Sequence, residues 1–290
     1  MSQEIWTIKD VLAWSIGFLQ KSGSASPRLD AELLLAEALE CRRLDLYLEY
    51  SKPLEQTERN RYKDMIRRRA QGEPVAYITG RRDFFGLSFN VSASTLIPRP
   101  ETEHLIEHIL ESTSRDKDQA MKVLDIGTGT GCLAITLKHH RPNWTVEAWD
   151  ISSDALLIAQ SNAAKNSVEI EFRDVDALDP KAWGPNRQKF DMVVSNPPYI
   201  ASNETEVMSP SAIKYEPHSA LFAEKNGLAF YATFAAHLPE IMQANGKVYL
   251  EIGYKQRDEV FSLLEEAGWS DCFCHKDLSG HDRVVVATRP

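Results

Sequence analysis

Apolar positions along the chain fall into three successive patterns. Over about the first seventy residues they recur at helical spacing. Ile8, Val11, Leu12, Ser15 and Leu19 share one stripe, with Trp14 and Phe18 widening its apolar face. Thr7-Ile-Lys-Asp10 supplies a capping-box signal at the start of that stripe. Ser26 followed by Pro27 opens a second helix in cap-then-proline order, with Leu29, Leu33 and Leu34 expected inward. A third helix is expected from about Thr57 through Tyr62, Met65 and Ile66 to the arginines at 67 to 69, where Gly72 and Pro74 stop it. The pattern predicts a small helical bundle.

From 75 to 100 apolar and polar residues alternate, with Gly80 and Gly86 as turn points, which predicts a hairpin joining two domains. Beyond Lys122 the chain repeats a strand-then-helix rhythm. Apolar runs at 123 to 126, 145 to 149, 168 to 172, 190 to 194 and 247 to 252 alternate with helical stretches near 131 to 140, 153 to 165, 226 to 243 and 256 to 267. This predicts an α/β fold, a doubly wound and mostly parallel sheet. The final segments, WSDCFCHKD and RVVVATR, have no helix between them and are expected to close the sheet as an antiparallel pair. The expected domains are a helical domain at 1–74, a β-hairpin linker at 75–100 and an α/β domain at 101–290.

Composition changes this picture only at a few points. With 43% hydrophobic and 26% charged residues, the 290-residue chain can bury a full core. The net charge of −9 is uneven. Residues 1 to 100 carry 15 Lys+Arg against 13 Asp+Glu, and the remainder 18 against 29. An acidic larger part argues against a stable nucleic-acid partner held mainly by phosphate contacts. The opening MSQEIWTIKD has neither a basic n-region nor an apolar h-region, and no stretch is apolar enough for a membrane span, so the expectation is cytoplasmic, with no membrane partner. The four cysteines lack zinc-site spacing, and the histidines lack supporting acids, so no metal is expected.

Two motifs carry the candidate chemistry. VLDIGTGTGCLAI, 123 to 135, reads as a strand, a glycine-rich turn and a helix start, the place where such a sheet meets a cofactor. A dinucleotide site calls for G-x-G-x-x-G. Here Gly127, Gly129 and Gly131 give G-x-G-x-G, and Asp125 would sit badly against a pyrophosphate but would suit a cationic amino group. S-adenosyl-L-methionine carries such a group and no phosphate. Its ribose needs an acceptor near the end of the second strand, where Asp150 lies, and Asp174 follows the third strand toward the adenine edge.

The second motif is Ser195-Asn-Pro-Pro-Tyr199-Ile, which ends an apolar strand with an asparagine, two prolines and an aromatic. Methyl transfer to an amide or aromatic amino nitrogen is opposed by delocalisation of the nitrogen lone pair. A site counters this by accepting hydrogen bonds from both N–H groups. Asn196 offers a side-chain carbonyl, and Pro197 a backbone carbonyl held in one direction because Pro198 restricts the residue before it. Tyr199 could lie flat against a planar substrate group. The same clamp would serve a flipped base, so a nucleic-acid amino methyltransferase acting on adenine N6 or guanine N2 is the alternative.

YITGRRDFFGLSFNV, LIPRPETE at 96 to 103, DIGTGTG, NPPYI, YEPHSAL, EIGYKQ and SGHDRVVV together resemble the HemK/PrmC family of glutamine N5-methyltransferases. That resemblance runs over nearly the whole chain. It implies a seven-stranded Rossmann-like methyltransferase sheet and S-adenosyl-L-methionine as cofactor. The implied protein substrate is a class I peptide chain release factor, methylated on its GGQ glutamine, with the helical domain helping to bind it; apart from the resemblance, a monomer is expected. It further implies that Gly127, Thr128, Gly129, Thr130, Gly131 and Asp150 hold the cofactor, that Asp174 and Val175 lie beside the adenine, and that Asn196, Pro197, Pro198 and Tyr199 hold the target amide. The chain departs from the family at Val175, where members often have an aromatic, and at FAEKNGL, where many read FGGxDGL. Arg99, Glu101 and Glu103 either line the active-site entrance or cap the helix they precede.

Overall fold

A computed structural model describes residues 5–184, 189–204, 206 and 208–289. Five helices come first: α1 (Ile8–Lys21), α2 (Pro27–Ala38), α3 (Asp45–Leu48), α4 (Gln56–Ala70) and α5 (Val75–Thr79). Strands β1 (Arg81–Phe84) and β2 (Leu87–Asn90) form a hairpin, followed by α6 (Glu103–Ser112). The alternating part runs β3 (Lys122–Ile126), α7 (Cys132–His140), β4 (Thr145–Asp150), α8 (Ser153–Lys165), β5 (Glu171–Asp174) and β6 (Phe190–Ser195). It continues through α9 (Pro210–Tyr215), α10 (Ala229–Ile241), β7 (Met242–Glu251), α11 (Arg257–Glu266), β8 (Ser270–Lys276) and β9 (Asp282–Thr288). The chain divides into two compact units, Met1–Gly80 with Ser209–Tyr215, and Arg81–Met208 with Glu216–Pro290.

In the first unit α1 begins where expected. The Thr7 side chain accepts from the Asp10 N–H, and the Asp10 carboxylate accepts from the Thr7 N–H. Helix α2 turns a different face inward from the one its leucines suggest. Leu29 and Leu33 are exposed, whereas Ala31, Leu34, Leu35 and Ala38 are buried. The buried set follows the i, i+3, i+4, i+7 rule with alanines at its ends. Trp14, expected to widen the buried face of α1, is also exposed and stacks on Phe18 at 5.0 Å. The chain adds α9 to this unit, where the Ser211 hydroxyl donates to the Gly72 carbonyl at 2.6 Å.

The second unit holds a seven-stranded sheet in the order β5-β4-β3-β6-β7-β9-β8. Its first five strands are parallel, and β9 runs antiparallel to both β7 and β8. Both faces are covered. Leu124, Ile126, Val193, Val248 and Leu250 pack with Tyr231, Phe234 and Leu238 of α10, while Val123, Met192, Val194 and Tyr249 pack with Leu105, Ile109 and Leu133 of α6 and α7. Strand β5 lies at 171–174 rather than 168–172. As a mostly exposed edge strand it lacks the buried apolar residues of its central neighbours, and Val168 and Ile170, which suggested it, instead pack against the core before it begins.

The hairpin occupies only 81 to 90 of the alternating stretch. Residues 75 to 79 are helical because Pro74 stands at their N-cap and Gly80, at φ +71°, ends the turn in the left-handed region, and five residues are too few for apolar spacing to separate helix from strand. The hairpin turn uses Phe85 and Gly86 at φ +48° and +79°, the two positive values a tight β-turn needs. Asn162 on α8, fully buried, ties hairpin to sheet. It accepts from the Asn90 N–H at 2.6 Å and donates to the carbonyls of Asn90 and Thr130.

Candidate active site

Strand order reverses between β3 and β6, so a crevice opens beyond their carboxyl ends, the place where sheets of this kind bind ligands. Register pairs Ile126 with Trp149 and Ser195, and Asp150 with Asp174, which brings the glycine loop, Asp150 and the Asn-Pro-Pro segment to one edge. A cavity of about 350 Å³ lies there, and its lining includes Gly127, Gly129, Asp150, Val175, Asn196, Pro197 and Pro198.

The glycine loop is built on left-handed turns. Gly127, Gly129 and Gly131 have φ of +73°, +56° and +81°. The N–H groups of Gly127 and Thr128 both donate to the Trp149 carbonyl at 2.9 Å. Gly131 serves packing as well: a Cβ there would meet Ile135 Cδ1 at 2.7 Å and Ala159 Cβ at 3.3 Å. Thr128 and Thr130 are buried beneath the loop.

Two carboxylates hold this loop. Asp150 accepts from the Gly129 N–H at 2.8 Å and the Ser152 N–H at 2.9 Å. The Ile151 N–H also interacts with it, and the carboxylate keeps acceptor capacity for a hydroxyl-bearing ligand. Burial raises its pKa, opposed by the Ser152 and Gly129 bonds. Asp125 is fully buried; its Oδ2 accepts from the Thr128 hydroxyl at 2.6 Å and the Ala134 N–H at 3.2 Å, while its Oδ1 has no partner. Burial pushes its carboxyl up to about 7, and the neighbouring Asp150 charge adds to the rise. A buried, orphaned carboxylate oxygen under a glycine loop fits a cationic amino group, although Asp125 lies behind the residues that line the cavity and does not itself reach its wall.

Not every expected residue reaches the cavity wall. Asp174 closes β5 and accepts from the Ser153 hydroxyl at 3.0 Å, whereas Val175 lies on the wall with Asp176, Ala177 and Leu178 after it. Tyr199 is packed against the core, its hydroxyl 3.4 Å from Glu251 and its carbonyl accepting from the Gln256 amide at 2.9 Å. Gly227, from the departing FAEKNGL loop, approaches the same carbonyl so closely that a Cβ would lie 2.2 Å from it.

Sequence reasoning missed the apolar wall formed by Ile151, Phe222 and Phe230, and the acids behind the site. Glu216 of YEPHSAL, nearly fully buried, accepts from Arg99 at 2.5 Å and from the Ile97 N–H at 3.1 Å, which joins LIPRPETE to YEPHSAL. Glu103 accepts from the Phe85 N–H at 2.9 Å and so anchors the hairpin; Glu101 is exposed. No local pattern singles out Glu216 or Glu251, whose partners lie far away in the chain. Among the described residues, no group of three or more His, Cys, Asp or Glu is placed to hold a metal. Among the described residues, no helix is long and apolar enough to cross a membrane.

Comparison with known proteins matches residues 10–80 to the PrmC N-terminal domain and residues 100–225 to the methyltransferase small domain. The release factor glutamine methyltransferase of Koribacter versatilis is 42% identical over 98% of this chain and 99% of its own. That of Geobacter sulfurreducens is 38% identical over 97% and 96%. Among solved structures, the hMettl16 catalytic domain in complex with the MAT2A 3'UTR hairpin 6 superposes with a TM-score of 0.56 at 17% identity, covering 78% of this chain and 82% of that one, a likeness of fold alone.

Proposed function

The chain belongs to the release factor glutamine methyltransferase family, and from that premise we propose how its residues divide the work. It is a methyltransferase that uses S-adenosyl-L-methionine to methylate a glutamine of a peptide chain release factor. We take that glutamine to be the one in the GGQ motif, methylated on its side-chain nitrogen. The cofactor supplies a sulfonium-activated methyl group.

In this reading the loop from Gly127 to Gly131 receives the cofactor, Asp125 Oδ1 takes its amino group, Asp150 takes ribose hydroxyls, and Ile151, Val175 and Phe230 face the adenine. Asn196 Oδ1 and the Pro197 carbonyl accept the two N–H groups of the glutamine amide, which turns the nitrogen lone pair out of conjugation. Pro198 fixes the direction of the Pro197 carbonyl, and Tyr199, held through its own carbonyl, closes the segment. We assign no base to the departing proton. The helical unit at the N-terminus is the substrate-binding part, and the enzyme works as a cytoplasmic monomer without a stable nucleic-acid partner.

The observation that carries this reading is that Asn196 and Pro197 share one cavity wall with Gly127, Gly129 and Asp150. Replacing Asn196 with alanine is expected to abolish turnover and leave cofactor affinity within a few-fold. Normal turnover in that variant removes Asn196 from the clamp.

A further inference from the structure

An asparagine amide presents two ends of nearly equal shape, and only its oxygen can accept a hydrogen bond. The clamp therefore works in one of the two amide orientations, and something must choose it. Asn196 Nδ2 lies 3.0 Å from the Thr102 hydroxyl, and that hydroxyl lies 2.6 Å from Glu251 Oε2. Thr102 is 2% exposed and Glu251 1%, so water does not compete for these bonds.

We propose that Glu251 and Thr102 are positioning residues that set the orientation of the Asn196 amide. The logic is a count of protons. A threonine hydroxyl carries one hydrogen, and an ionised carboxylate can only accept. Glu251 takes that hydrogen, which leaves the Thr102 oxygen as an acceptor. The Asn196 amide must then turn its NH₂ toward Thr102, leaving Oδ1 for the cavity that Asn196 lines.

Glu251 stands at the last position of β7 and Thr102 just before α6, so the orienting pair is mounted on the sheet and on the helix opening, apart from the Asn-Pro-Pro segment it controls. Burial raises the Glu251 carboxyl above its ordinary value and the charge of Glu101 adds to the rise, while the Thr102 bond, the positive charge of Arg283 and the Tyr199 hydroxyl, 3.4 Å from Oε1, oppose it and favour the ionised form. Without the Thr102 hydroxyl, no partner distinguishes the two ends of the amide. Molecules that then turn NH₂ toward the cavity repel the substrate N–H groups and are inactive.

The inference rests on the amide-clamp reading, and its test separates the two. Steady-state methylation of release factor is compared for Thr102→Val, Thr102→Ser and Asn196→Ala, with cofactor affinity measured by calorimetry. Thr102→Val is expected to lower kcat at least tenfold, with KM for the release factor and Kd for the cofactor within about two-fold. Thr102→Ser, which keeps the hydroxyl, is expected within about two-fold of the parent. Full kcat in Thr102→Val beside an inactive Asn196→Ala overturns the positioning role and spares the clamp; an active Asn196→Ala overturns both. Equal losses in the Ser and Val variants, with weaker cofactor binding in each, reduce Thr102 to a packing residue. If Thr102→Val does not fold, Thr102→Ala carries the same expectation.

Discussion

At the scale of single residues, the glycine loop rests on two carboxylates with different tasks. Asp125 carries a carboxyl raised from 3.8 to about 7 by burial. Because the folded value lies above the unfolded one, the free protein loses the stability associated with this group as pH rises from about 4 to about 7. A cationic amino group beside Oδ1 favours the ionised form, so binding releases a proton below that value. Affinity for S-adenosyl-L-methionine is expected to fall about tenfold per pH unit below about 7 and to level off above it. Calorimetry across this range checks the slope, and Asp125→Asn should bind more weakly with the slope gone. A level affinity in the unaltered protein contradicts the assignment. Asp150 already holds Gly129 and Ser152, so Asp150→Ala withdraws both a ribose acceptor and a loop tether. It is expected to cost about 1–3 kcal/mol of cofactor affinity, read as a shifted dissociation constant.

At the scale of elements, the Asn-Pro-Pro-Tyr segment is fixed from behind. The Tyr199 carbonyl takes the Gln256 amide and sits against Gly227, which follows Lys225 and Asn226 in a run of left-handed residues at φ +53°, +56° and +84°. Gly227→Ala adds a Cβ where only 2.2 Å is available and strains the backbone by about 1–2 kcal/mol besides. The expected outcome is a lower unfolding midpoint in denaturant together with reduced turnover, and an unchanged midpoint counts against this account of the loop. The same elements show what apolar spacing could and could not reveal. Central strands β3, β4 and β6 are mostly apolar and buried, so they stand out; β5, at the edge, does not. Helix α5 escaped notice because it is a single turn between Pro74 and Gly80. The glycine loop and the Asn-Pro-Pro run were legible because their residue types are unusual in a strand end. Glu251, Glu216 and Asn162 were not, since each acts through partners far away in the chain, at separations of 149, 117 and 72 residues, which no local pattern encodes.

At the scale of the whole molecule, the sheet alone does not choose the substrate, because a structure crystallised with an RNA hairpin shares it. The choice rests on relatives that match nearly the full chain, including the helical unit, and it agrees with the acidic balance of residues 101 to 290. A side-chain amide needs no base-flipping apparatus, whereas a duplex base does. The most direct measurement is transfer of labelled methyl from S-adenosyl-L-methionine to a purified class I release factor, beside the same factor with its GGQ glutamine changed to alanine, and beside DNA and RNA. Label on the unaltered factor alone is the predicted result. Label on nucleic acid with none on the factor would contradict the account, keeping the clamp of Asn196 and Pro197 but giving it a base as its substrate.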